Sequence, residues 1–171
     1  MRVVVLMPPD GAGTNLAAIR ATGVDVVGIL TQNLDDLKSL APDYVCLTGW
    51  KQIIPDEVIE NYKILNIHPG LIPDTKDGHV ICPDGTDGLW NKGKYKEKAI
   101  KNFLDKKATY AGSSIHRLTH EFDFGPVLAR CFEKIQPDDT VDSLYTRLKI
   151  KENKLWQNVF SSLATAAENT R

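Results

Sequence analysis

Asn66 and His68 stand two residues apart in the segment Asn66-Ile67-His68-Pro69-Gly70. On an extended strand that spacing puts both side chains on one face. An amide donor beside an imidazole can polarise a carbonyl and hold the oxyanion that forms when a nucleophile adds to it. A protonated His68 would also neutralise that charge. Taken alone, the segment reads equally as a structural histidine satisfied within the fold. A second cluster, Thr119-His120-Glu121-Phe122-Asp123-Phe124-Gly125-Pro126, offers three titratable side chains in one turn. A carboxylate there could orient a histidine or relay protons, and the bland reading is a solvated acidic turn. The third candidate is Gly11-Ala12-Gly13-Thr14-Asn15. Backbone amides in such a turn can hold a phosphate, and glycine admits the ligand close to the chain. It lacks the third glycine of the dinucleotide fingerprint and the lysine of a P-loop, so a plain tight turn also accounts for it.

The elements that must position these groups follow from periodicity. Residues 2–7 are apolar after Arg2 and predict a strand covered on both faces. A short helix through Leu16, Ile19 and Arg20 follows, ended by Gly23. Val24 to Leu30 predicts a second strand, Leu34, Leu37 and Leu40 a short helix, and Tyr44 to Leu47 a third strand. Pro55 opens a helix to Tyr62, and Ile64 to Ile67 is a fourth strand, which leaves Asn66 and His68 at its carboxyl end. Open α/β sheets bind ligands there. Alternation of strands and helices predicts a parallel, doubly wound sheet. Residues 70–93, rich in Gly, Pro and Asp, predict a long loop. Lys94 to Asp105 predicts a helix with Tyr95, Ala99, Ile100, Phe103 and Leu104 on one face. Ser113–Thr119 and Val127–Ile135 predict two further strands. Asp138-Asp139-Thr140 offers caps for a long amphipathic helix with Leu144, Leu148, Leu155, Val159 and Leu163 inward. Lys149 and Glu152, three apart, share a face of that helix; without further context such a pair is a solvated face.

The chain has 171 residues and a formal net charge of −1. That suits one domain with a buried core, and gives no sign of a general nucleic-acid or membrane binder. The opening apolar run is too short for a signal sequence and reads as the first strand. Cys46, Cys82 and Cys131 are an odd number without metal-ligand spacing, consistent with reduced thiols in a cytoplasmic protein. Seven lysines between Lys92 and Lys107 form either a solvated helix face or a positive rim for an anionic ligand. Trp90 reads either as a lid anchor or as a buried plug. His79, His116 and His120 are read as lacking a direct chemical role, with His116 a structural histidine on its strand.

Taken together, the first strand and Gly-rich turn, Leu47-Thr48-Gly49-Trp50-Lys51-Gln52-Ile53-Ile54, Leu65 to Pro73, Gly112-Ser113-Ser114-Ile115-His116 and Asp123 to Val127 resemble the formyltetrahydrofolate-dependent formyltransferases. The nearest branch formylates glycinamide ribonucleotide in purine synthesis. The resemblance implies a single domain over 1–171 with a Rossmann-like, mostly parallel sheet, shortened in its N-terminal half and carrying an inserted loop-helix around 74–107. It implies Asn66, His68 and Asp123 as the catalytic set, with no metal. It implies 10-formyltetrahydrofolate as donor, held by Trp50, Gln52, Ile53 and Ile54 and by Thr119, Glu121 and Phe122. A phosphoribosyl amine would be held by Gly11, Gly13, Thr14, Asn15, Pro69 and Gly70, with Lys149 on the phosphate and Glu152 on the ribose hydroxyls or the amine. The same catalytic residues fit a relative acting on a nucleotide-linked amino sugar, or a formyltetrahydrofolate hydrolase. A homodimer is left open. The chain departs from the family pattern at Phe124, where a second glycine is usual, and at Lys51-Gln52, where Met-Arg is frequent.

Overall fold

A computed structural model describes residues 1–12 and 14–170. Six strands form one sheet in the order β2-β1-β3-β4-β5-β6. The chain groups into two compact units, Met1–Asn66 with Trp156–Arg171, and Ile67–Leu155.

In the first unit β1 (Arg2–Leu6) lies between β2 (Asp25–Leu30) and β3 (Tyr44–Leu47), parallel to both. β4 (Ile64–His68) begins here, paired parallel to β3 with Leu47 opposite Asn66. Val3 to Leu6 are wholly buried, as the unbroken apolar run requires. The helices α1 (Leu16–Arg20), α2 (Leu37–Leu40) and α3 (Asp56–Asn61) are short. Chain order reverses on either side of β1, so the end of β1 is a topological switch point of the kind where α/β sheets receive ligands. The Gly-rich turn leaves β1 at that point.

In the second unit β5 (Tyr110–Arg117) and β6 (Val127–Lys134) form an antiparallel pair, from Tyr110 opposite Lys134 to His116 opposite Val127. The strand expected over 113–119 therefore starts three residues earlier and stops at Arg117. Pairing with the whole of β6 extends it at one end, and the turn that carries Asp123 ends it at the other. α4 (Lys96–Asp105) starts two residues later than expected. Tyr95 is extended there, at φ −109° and ψ 145°, and is exposed rather than part of the buried face. Ile100 and Phe103 of α4 meet Ala111 of β5 and Leu144 and Leu148 of α5 (Val141–Glu168) in the core of this unit. Thr140 caps α5: its Oγ1 accepts from the Ser143 N–H at 3.1 Å, and Ser143 Oγ accepts from the Thr140 N–H at 2.9 Å.

Along the rest of α5, Leu155 and Val159 are buried as expected, but Leu163 is only half-buried. Trp156 and Phe160, stacked at 5.9 Å between ring centroids, take the buried positions that periodicity had assigned further along. No helix among the described residues is long and apolar enough to cross a membrane.

Candidate active site

β4 runs one residue beyond its expected end, so Asn66 and His68 both lie on the strand. His68 is almost fully buried. Its Nδ1 stands 3.4 Å from Asp123 Oδ1, and its Nε2 stands 2.8 Å from the backbone carbonyl oxygen of Trp90. A carbonyl can only accept, so Nε2 carries a hydrogen. The Nδ1 contact is longer than a formed N–H···O bond. Burial pushes the His68 pKa below the usual histidine range; the Asp123 carboxylate and the backbone groups of Trp90 and Asn91 oppose that shift.

Asp123 is brought to His68 by a strained turn. Its φ is +47°, in the left-handed region that non-glycine residues rarely adopt. The Gly93 N–H donates to Asp123 Oδ2 at 2.7 Å, and the Trp90 indole Nε1–H donates to the Asp123 carbonyl at 2.8 Å. Trp90 also packs on Phe124, with centroids 5.7 Å apart. Gly125 closes the turn where a Cβ would strike the Arg117 carbonyl.

The chain after His68 is pinned on both sides. Ser114 Oγ donates to the Gly70 carbonyl at 2.7 Å and accepts from the Ile72 N–H at 3.0 Å. Arg130 donates twice to the Ile72 carbonyl, from Nε at 2.8 Å and from an Nη at 2.6 Å. Gly70 is required for its closeness: an added Cβ would run into the Trp90 carbonyl and come within 2.8 Å of His68 Nε2.

His116 lies fully buried on β5. Burial and the neighbouring His68 push its pKa down to about 4, against weaker pulls from Asp123 and the Arg117 carbonyl. It is neutral near pH 7, as a structural histidine should be.

Lys149 and Glu152 come together as their spacing requires, 3.0 Å apart. Glu152 is buried, and its other oxygen accepts from Ser113 Oγ at 2.7 Å. Lys149 Nζ also lies 5.5 Å from the centroid of the Tyr145 ring. Glu121, expected at the folate, has its carboxylate engaged by two lysines of the insert, Lys76 at 2.7 Å and Lys92 at 3.5 Å, and Lys76 holds its pKa below the usual range. Phe122 is exposed and edge-on to Tyr95 at 6.4 Å. Thr119 Oγ1 donates to the Phe124 carbonyl at 2.6 Å, fixing the shape of the turn.

The first unit holds the remaining candidates. In the Gly-rich turn the Gly11 N–H donates to the Pro8 carbonyl, the Ala12 N–H to Asp10 Oδ1 at 3.0 Å, and the Asn15 N–H to Thr48 Oγ1 at 2.7 Å. These three amides, read from sequence as open to an anion, are thus engaged within the protein. Thr14 is half-buried, and Gly13 lies outside the described residues. Of the other expected donor contacts, Gln52 and Ile53 are exposed, Ile54 is buried, and Trp50 has its indole nitrogen buried. Among the described residues no group of three or more His, Cys, Asp or Glu could hold a metal. All three cysteines are free, and burial raises each thiol, that of Cys131 up to about 12. None is primed as a nucleophile.

The chief contributors missed in the sequence are Asn91 and Gly93, with Trp90 left undecided. Asn91-Lys92-Gly93 does signal a turn, and Asn91 and Gly93 both have positive φ. Nothing local shows that this turn docks on His68.

Comparison with known proteins gives a family and a fold. The family described as Formyl transferase matches residues 20–160. A chloroplastic phosphoribosylglycinamide formyltransferase of Arabidopsis thaliana is 31% identical over 132 residues, covering 76% of this chain and 40% of that protein. The phosphoribosylglycinamide formyltransferase of Escherichia coli is 26% identical over 133 residues, 77% of this chain and 54% of its own. The matched stretch thus spans roughly two-fifths to a half of these two relatives. The crystal structure of phosphoribosylglycinamide formyltransferase from Bacillus halodurans superposes with a TM-score of 0.77 at 22% identity, covering 99% of this chain and 98% of that one. At that identity the likeness speaks for the fold.

Proposed function

The chain belongs to the formyl transferase family, and on that premise we propose that it transfers the formyl group of 10-formyltetrahydrofolate to the amine of glycinamide ribonucleotide in de novo purine biosynthesis. The observation that carries this reading is the buried His68 at the carboxyl end of β4 with the Asp123 carboxylate beside it, and Asn66 two residues earlier on the same strand. The names of the two relatives compared above supply the acceptor.

In the proposed reaction the acceptor amine attacks the formyl carbon, and a C–N bond forms. The carbonyl oxygen takes the negative charge. The Asn66 amide and His68, once it carries a proton on Nδ1, stabilise that oxyanion. Asp123 steadies His68 and, through water, helps pass the amine proton to the folate nitrogen, which leaves as the tetrahedral intermediate collapses. Nδ1 is the ring nitrogen suited to face the reacting groups, because Nε2 is committed to Trp90. On this reading Trp50 to Ile54 and Thr119 to Phe122 hold the folate, largely through backbone. Gly13, Thr14, Pro69, Gly70, Lys149 and Glu152 hold the acceptor, while the engaged amides of Gly11 and Asn15 shape the turn. The half-buried Lys149 supports the acceptor assignment, since the buried Glu152, itself fixed by Ser113, holds the cation in place.

The test is incubation with 10-formyltetrahydrofolate and, separately, glycinamide ribonucleotide, a nucleotide-linked amino sugar, or water alone. Formylation of glycinamide ribonucleotide is expected, and His68→Ala should reduce it by at least about a hundredfold while the protein stays folded. Near-normal turnover by His68→Ala would overturn the mechanism. Turnover with only the amino sugar or water would overturn the acceptor.

A further inference from the structure

The turn Leu89–Gly93 does more than cover His68. Three successive residues bond to the last residue of β4 and the segment that follows it. The Leu89 carbonyl accepts from the Leu71 N–H at 2.8 Å, the Trp90 carbonyl meets His68 Nε2 at 2.8 Å, and Asn91 Nδ2 donates to the Pro69 carbonyl at 3.1 Å. Asn91 is itself locked: Nδ2 also donates to the Ala99 carbonyl at 3.2 Å, and Oδ1 accepts from Asn102 Nδ2 at 2.7 Å. The turn is therefore tied to both β4 and α4. From it, the Trp90 indole and the Gly93 amide reach Asp123, the first at the backbone and the second at Oδ2. That leaves Oδ1 directed at His68 Nδ1.

We propose that Trp90 is a positioning residue for the His68–Asp123 pair: its carbonyl commits Nε2–H, and its indole N–H holds the Asp123 turn, so that His68 exchanges its proton at Nδ1. The proposal rests on reading these two residues as the catalytic pair. A neutral imidazole has one N–H, and the partner of one nitrogen decides the state of the other. With Nε2–H bound to a carbonyl, Nδ1 holds the lone pair that can take a proton, with the Asp123 carboxylate beside it to stabilise the resulting imidazolium. The left-handed backbone of Asp123 is strained, and the indole bond is one of the contacts that hold it. The charged or titratable groups around His68 are Asp123 and the buried His116, with Glu121, Lys76 and Lys92 clustered beyond Trp90.

The test uses the full, ligand-free chain with histidines labelled in nitrogen-15. Long-range proton–nitrogen spectra above the His68 titration should show the Nε2–H tautomer. Trp90→Phe keeps a ring against Phe124 and removes the indole N–H. It should lower the His68 midpoint by about one pH unit as Asp123 drifts away. Asp123→Asn should also lower it, and the double variant should titrate like Asp123→Asn alone. An Nδ1–H tautomer in the wild type overturns the proposal. So does an unmoved midpoint in Trp90→Phe, or a further fall in the double variant. If Trp90→Phe does not fold, the wild-type tautomer decides. In the transfer assay Trp90→Phe should cost about tenfold in kcat with KM little changed, whereas a wild type without transfer activity counts against the proposed function and leaves the spectra to judge Trp90.

Discussion

Acidification should unfold this protein through His116. The side chain is fully buried on β5, and its pKa is pushed from 6.5 to about 4, first by burial and then by the neighbouring His68. A depressed histidine pKa means that the unfolded chain binds the proton more readily than the folded one. The stability associated with neutral His116 is therefore complete above about pH 6.5 and is lost as the pH falls towards 4. The gap between the two values corresponds to about 3 kcal/mol, most of it lost by about pH 4.5. That is a large part of the stability of an ordinary domain. The assay is urea unfolding followed by circular dichroism at several pH values between about 7.5 and 4.5, for the wild type and His116→Gln. The variant has its own cost at neutral pH, but its stability should depend less on pH by about 2.5 kcal/mol over the window. Some dependence remains in the variant, because the His68 pKa is also lowered by burial. If the two stability curves run parallel to within about 0.5 kcal/mol, the account of His116 as a buried neutral group is wrong.

Two further outcomes are expected. Lys149→Ala should raise KM for a phosphoribosyl acceptor by about tenfold with kcat nearly unchanged, measured by steady-state kinetics; an unchanged KM removes the support for Lys149 as the phosphate ligand. Gly125→Ala should cost about 1–3 kcal/mol because its Cβ meets the rigid Arg117 carbonyl, whereas Gly28→Ala should stay within about 1 kcal/mol because its Cβ meets only the movable Leu40 side chain, at 2.6 Å. Equal melting temperatures for the two glycine variants would contradict this.

Local pattern decided a good deal. Short, β-branched apolar runs such as Val3 to Leu6 read as strands covered on both faces, and their alternation with helices left a parallel sheet as the economical arrangement. The two-residue step from Asn66 to His68 placed both on one strand face without any tertiary information. The three-residue step from Lys149 to Glu152 likewise guaranteed that they could meet on a helix. Where periodicity spoke weakly it misled: Tyr95 and Leu163 are apolar at helical spacing, yet one precedes its helix and the other lies where α5 is largely exposed.

The sequence by itself determined which residues could do the chemistry and which strand would carry two of them, because period and motif are local properties of the chain. Only the tertiary structure decided how His68 is held. Its partners come from 22 residues away at Trp90 and from the separate turn at Asp123. The Trp90 contact depends on a backbone carbonyl, which every residue carries and no sequence pattern marks, and the Asp123 contact depends on where a distant turn docks. The same reason explains Glu152: its helix face was legible, but the hydroxyl of Ser113 that buries and fixes it, 39 residues away, became a partner only when β5 and α5 packed together.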